Sequence, residues 1–199
     1  MIENNKVNVP DTIILHHSVA PLDNIKFNDF ESITKHYVNN MGWSDNPYHY
    51  GIEFVDGKVK RSVGRDENTV GAHCSQGDMN GHSIGVCVVG NWDKVAPPKE
   101  IVDEVVKLCK EIRARRGSLP IEPHTKYAPY KTCPGTLFPL NEVRMRVSAP
   151  IFPPVHWAEE YFILLNKYFT VSDRRFDEKI TRGEVMKLVG EVVKLVKGV

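Results

Sequence analysis

The chain of 199 residues has no surplus of either charge: 26 lysines and arginines face 25 aspartates and glutamates, for a formal net charge of +1. A protein that holds nucleic acid or an anionic membrane by charge needs a basic excess or stripe, so neither is expected as the main partner. No apolar run approaches the ~18 residues of a membrane span. The opening stretch, Met1 to Pro10, has no basic segment followed by an apolar one. No secretory leader is therefore expected, and the expected location is the cytoplasm of the producing cell. Cysteine is scarce: Cys74, Cys87, Cys109 and Cys133 make four. Their spacing suggests no disulfide framework, and reduced thiols fit that compartment. Cys87 and Cys109 fall within apolar patterns and read as core.

What is present is an ordinary globular composition, 41% hydrophobic and 26% charged, enough for one full core and a small second unit. Thr12-Ile13-Ile14-Leu15-His16 reads as a buried strand. Ser18 to Asn24 reads as a loop. Asn28, with Glu31 at the capping-box position, is expected to start a helix that Gly42 follows. Tyr48 to Val55 reads as a strand, and Asp56-Gly57 signals a hairpin into Lys58 to Val63. Gly64 to Gly81 reads as a long polar loop of the kind that lines sites. Ile84 to Gly90 is another buried strand. Pro97-Pro98 opens a helix with Ile101, Val102, Val105, Leu108, Cys109 and Ile112 at helical spacing, ended by Gly117. Pro120 to Pro139 is a proline-rich loop. These elements predict an α/β fold with a mixed central β-sheet flanked by helices.

The chemistry concentrates on that last loop. His124 and Cys133 lie nine residues apart on a turn stiffened by Pro123, Pro129 and Pro134. Imidazole nitrogen and thiolate sulfur are the ligands zinc prefers, and three protein ligands leave a fourth position for water. His16, at the end of the first strand, is the best candidate for the third. One zinc ion so held would activate water and polarise a carbonyl. Lys131 is placed to hold a developing oxyanion, and Tyr48 could orient the water or the amide. Blander readings stand beside these. His17, His36 and His156 read as surface or packing histidines. His49 is either a substrate contact or a satisfied core group, and His73 and His82, which bracket the polar loop, either touch substrate or are merely solvated.

Several stretches recur in one order: Ile13 to Ser18, Trp43 to Tyr50, Val63 to Asp66, His82 to Val86 through Asn91, Pro123-His124, and Lys131 to Gly135. Together, over roughly residues 10–142, they resemble the zinc-dependent N-acetylmuramoyl-L-alanine amidases, a family that includes phage amidase lysozymes and peptidoglycan recognition proteins. The resemblance implies hydrolysis of the amide between N-acetylmuramic acid and L-alanine in peptidoglycan. It implies His16 rather than His17, with His124 and Cys133, as the zinc ligands, and Tyr48 and Lys131 as the catalytic pair. Glu53 is five residues from Tyr48 on the same strand and should face the other way, so it is not assigned as a base. Binding-only relatives lack the metal cysteine, so Cys133 favours an enzyme over a non-catalytic recognition protein.

Ala149 to Pro154 reads as a proline-rich linker, dividing a catalytic domain (1–148) from a helical segment (155–199). The segment, from Val155-His156-Trp157-Ala158 to Thr181-Arg182-Gly183-Glu184, resembles a single S-layer homology repeat. That resemblance implies binding of a secondary cell-wall polymer, with Trp157, Thr181, Arg182 and Glu184 as candidate contacts. Such repeats commonly act in threes and this chain has one, so either several chains associate through this hairpin or it packs differently and binds weakly. A helix cap is a sufficient role for Thr181 and Glu184. A lytic domain beside a wall-binding segment, without a leader, resembles a phage endolysin that acts on the wall after release; a host autolysin is the alternative.

Overall fold

The computed structural model describes residues 7–19 and 29–149. Five strands form one sheet in the order β3-β2-β4-β1-β5. They are β1 (Thr12–His17), β2 (Tyr50–Val55), β3 (Lys58–Val63), β4 (Ser83–Val88) and β5 (Ile121–Pro123). β1 runs parallel to β4 and to β5, β2 runs parallel to β4, and β3 is antiparallel to β2 across the Asp56-Gly57 turn. The sheet is therefore mixed and central, as expected, and every residue of β1 and β4 is buried.

Alternation along β1 sorts its side chains. Ile13 and Leu15 enter the main core with Ile84, Val86 and Val88 of β4 and the apolar face of α2 (Lys99–Arg116). Each such buried aliphatic side chain contributes about 1.5–3 kcal/mol relative to exposure. Ile14 packs on the other face, with Cys74 and Met79. α3 (Leu140–Ser148) adds Val143 and Val147 to the main core. Arg61 of β3 pairs with Glu104 and Glu111, which ties the hairpin to α2.

Four local expectations change. The first helix, α1 (Phe30–Lys35), is capped by Asp29 with Ser32 as its reciprocal partner, not by Asn28 with Glu31, and continues as a π-type turn over His36–Asn40. β2 starts at Tyr50, two residues after Tyr48. The polar loop contains a 3₁₀ turn at Gln76–Gly81. The proline-rich loop contributes β5, which Pro123 can join because β5 is an edge. Most of the first predicted loop, the linker from Pro150 onward and the whole segment 155–199, with Trp157, Thr181, Arg182 and Glu184, lie outside the described residues. Among the described residues no helix is long and apolar enough to cross a membrane.

Candidate metal centre and cleft

The parallel strands β1 and β5 end on the same side of the sheet, where α/β folds commonly place their ligands. His16 is the fifth residue of β1, and His124 follows directly on β5 at the start of a short 3₁₀ turn, His124–Lys126. The chain then folds back so that the Thr125 N–H donates to the Cys133 carbonyl at 3.2 Å. That bond brings the two halves of the loop together. His16, His124 and Cys133 are all buried and offer ligand atoms that lie within 4.8 Å of one another.

The donor set fits a metal cation. Both ring nitrogens of His124 are buried without a hydrogen-bond partner among the described residues. A buried imidazole so placed is costly unless something takes its lone pair. Burial, then the neighbouring charge of Lys131, lowers the His124 pKa to about 4. Burial, with His73 and His124 adding to it, holds His16 well below the usual histidine range. Both rings are therefore neutral near pH 7, as ligation requires. Burial pushes the Cys133 thiol up; a cation would reverse that by stabilising the thiolate.

These groups open into a cavity of about 630 Å³, which Tyr48, His73 and Lys131 also line. The Tyr48 and His16 rings are 5.2 Å apart. Burial, then the Cys87 thiol that its hydroxyl meets, raises the Tyr48 pKa well above 10.0. Tyr48 is thus a neutral phenol that can donate a hydrogen bond. Lys131 is exposed, with its ammonium 5.6 Å from the centre of the Tyr130 ring. Tyr37 and Trp43, 4.5 Å apart at their ring centres, form an aromatic wall of the cavity.

A family profile described as N-acetylmuramoyl-L-alanine amidase matches residues 5–136. The chain belongs to that amidase family. Peptidoglycan-recognition protein LB of Drosophila melanogaster is 31% identical over 106 residues, covering 48% of this chain and 41% of that protein. The endolysin of Escherichia phage T7 is 37% identical over 84 residues, covering 42% of this chain and 50% of its own length. The match thus spans half or less of these two curated relatives. Among solved structures, the endolysin and N-acetylmuramoyl-L-alanine amidase LysCS from Clostridium intestinale URNW shares the fold with a TM-score of 0.59 at 24% identity, covering 72% of this chain and 86% of that one. Wild-type Drosophila PGRP-LB gives 0.56 at 24% identity, covering 75% and 88%.

Within this amidase fold the remaining candidates divide. His73 reaches the cavity and sits against His16, Nδ1 to Nε2 at 3.0 Å. His49 does not line the cavity. Its Nδ1 accepts from the Gly85 N–H and its Nε2 donates to the Thr69 carbonyl, each at 2.9 Å, so both nitrogens are spent on backbone. His82 stays half exposed at the end of the 3₁₀ turn, 3.8 Å from the Asp78 carboxylate and off the cavity. Glu53 is also absent from the cavity lining: its fully buried carboxylate accepts from the Phe30 N–H and the Ser62 hydroxyl and pairs with Lys60.

His17, expected to be a surface or packing group, is buried and holds the ligand turn. Its Nδ1 accepts from the Trp92 N–H, which leaves the proton on Nε2 to donate to the Thr132 hydroxyl, both at 3.3 Å. Thr132 in turn donates to Asp93 at 2.6 Å, and Asp93 accepts from the Thr136 N–H at 2.8 Å. The turn carrying Lys131 and Cys133 is thus tied to β1 and to the segment after β4. Strand alternation was the available signal, since adjacent histidines at a strand end face opposite sides.

Proposed function

We propose that the chain is a zinc-dependent amidase that hydrolyses the bond between N-acetylmuramic acid and L-alanine of bacterial peptidoglycan. The observation that carries this reading is the buried His16, His124 and Cys133 group opening into the same cavity as Tyr48 and Lys131. Those three residues would hold one zinc ion, which when bound lowers the pKa of a water and polarises an amide carbonyl. Tyr48, kept neutral by burial, donates a hydrogen bond to orient the amide. Lys131 presents its ammonium from the exposed side of the cleft to the charge that develops on the amide oxygen. Cys133 supports an enzyme over a binder, because a binding-only cleft has no use for a thiol beside two lone-pair imidazoles.

The phage endolysins among the relatives support lysis of the cell wall after release as the biological role, and so support accumulation in the producing cell beforehand. Residues 155–199 are read as a wall-polymer-binding segment on their sequence alone, with association of copies through them part of that reading. The test is a digest of purified peptidoglycan followed by mass spectrometry. New L-alanine amino termini without new reducing sugar ends are expected. New reducing ends alone would exclude the amidase reading, and a Cys133→Ser chain that kept both zinc and activity would exclude the metal site.

A further inference from the structure

His73 is the cleft histidine that the proposed reaction leaves without a task. Its Nδ1 lies 3.0 Å from His16 Nε2, and the two rings meet edge-on, 79° apart with centres at 5.0 Å. Both side chains are buried. The backbone makes room for this contact. A Cβ on Gly71 would stand 2.5 Å from the His73 ring, and one on Gly85 would stand 2.4 Å from it.

A bond between two neutral imidazoles contains one proton, and its position decides what His16 can do. If His73 Nδ1 donated, His16 would spend the Nε2 lone pair on that bond. Its proton would then lie on Nδ1, and no lone pair would remain for a metal. If His16 Nε2 donates, Nδ1 keeps its lone pair for a metal, while His73 carries its own proton on Nε2. Only the second arrangement lets His16 be a ligand. The bare Nε2 of His73, buried and without a partner among the described residues, is then its protonated nitrogen.

We propose that His73 is a positioning residue for the metal centre, accepting the His16 Nε2 proton so that His16 binds through Nδ1. The inference rests on the metal reading above and assigns His73 a part that is not substrate contact. Partners of this kind fix the tautomer and ring orientation of a ligating histidine, and their loss typically costs about 10–100-fold in metal affinity.

The test uses the full chain and zinc alone. Competition against a chromophoric chelator should show that His73→Phe, which keeps a ring but loses the acceptor, weakens zinc binding by about 10–100-fold. His73→Asn, whose amide oxygen stands near the position of Nδ1, should recover most of that loss; a purely packing role would give the opposite order. Long-range proton–nitrogen spectra of the zinc-loaded wild type should show His16 metal-bound at Nδ1 and protonated at Nε2. Metal on Nε2, or a Phe variant with wild-type affinity, overturns the inference while leaving zinc binding intact. A wild-type chain that takes up no zinc overturns the metal reading and this inference together.

Discussion

Replacing Gly85 with alanine should destabilise the protein through a single side chain. The added methyl would sit 2.4 Å from His73 Cδ2, 2.5 Å from Cγ and 2.6 Å from Nε2, all below the closest approach a real Cβ makes. The ring cannot simply retreat, since the space over Gly71 is equally filled, with 2.5 Å to the same Cδ2. Overpacking of this kind costs about 1–3 kcal/mol. For a chain of this length a 2 kcal/mol cost lowers the melting temperature by roughly 4–8 °C. Gly81→Ala is the control: nothing lies within 4 Å of its Cβ position, so it should leave the melting temperature unchanged or raise it slightly. The combination with His73→Asn should recover part of the Gly85→Ala loss, giving a coupling of about 0.5–3 kcal/mol in a double-mutant cycle. A Gly85→Ala chain that melts with the wild type, or a cycle without coupling, would show that the glycine is not there to seat His73.

The remaining expectations concern chemistry, acid and wall binding. Tyr48→Phe should lower kcat on a soluble muropeptide by about 10²-fold, the order of loss that misplacing a reacting group carries, while zinc affinity stays put; equal turnover would remove Tyr48 from the reaction. Burial alone would raise the Glu67 carboxyl, but hydrogen bonds from Arg115, Tyr50 and Arg116 outweigh it and hold the group below its ordinary value of 4.5. A carboxyl lowered on folding contributes stability that is complete above the unfolded pKa and is lost as pH falls through the folded one. Glu67→Gln should therefore melt lower than wild type at about pH 6, with the gap closing as pH falls below the ordinary carboxyl range; a gap that widened would reverse the sign. Deleting residues 150–199 should weaken sedimentation with isolated cell walls and spare hydrolysis of a soluble muropeptide, and unchanged sedimentation would leave the segment without a targeting role.

The long, regular elements were legible because their periodicity is strong. The apolar run of β1, the Asp56-Gly57 hairpin and six of the seven buried positions of α2, all but Val106, could be read directly. β5 was not, because three residues ending in proline carry no alternation and pair with β1 only once the sheet exists. The cap of α1 falls one residue after the expected Asn28, because Asp29 and Ser32 close the reciprocal pair of bonds, and adjacent residues that both cap well differ only in that geometry. Spacing alone put His124 and Cys133 on one turn and made His16 a candidate; the family pattern completed the set. It left His49 and His73 alike as candidate substrate contacts. What separates them is the partner of each nitrogen, backbone for His49 and a ligand imidazole for His73, and a linear pattern does not encode that.

The order of the sheet also decides which strand edges another chain could pair with. Its two outer strands are poor templates for another chain. β3 displays Lys58 and Lys60 at exposed positions of the outermost strand. β5 is three residues long, ends in proline, and has its Ile121 carbonyl occupied by the Arg144 guanidinium at 2.7 Å. Charged and truncated borders of this sort deny an incoming strand the ladder it would extend. Pairing of two copies of this domain along the borders of the sheet is therefore disfavoured, whatever the concentration.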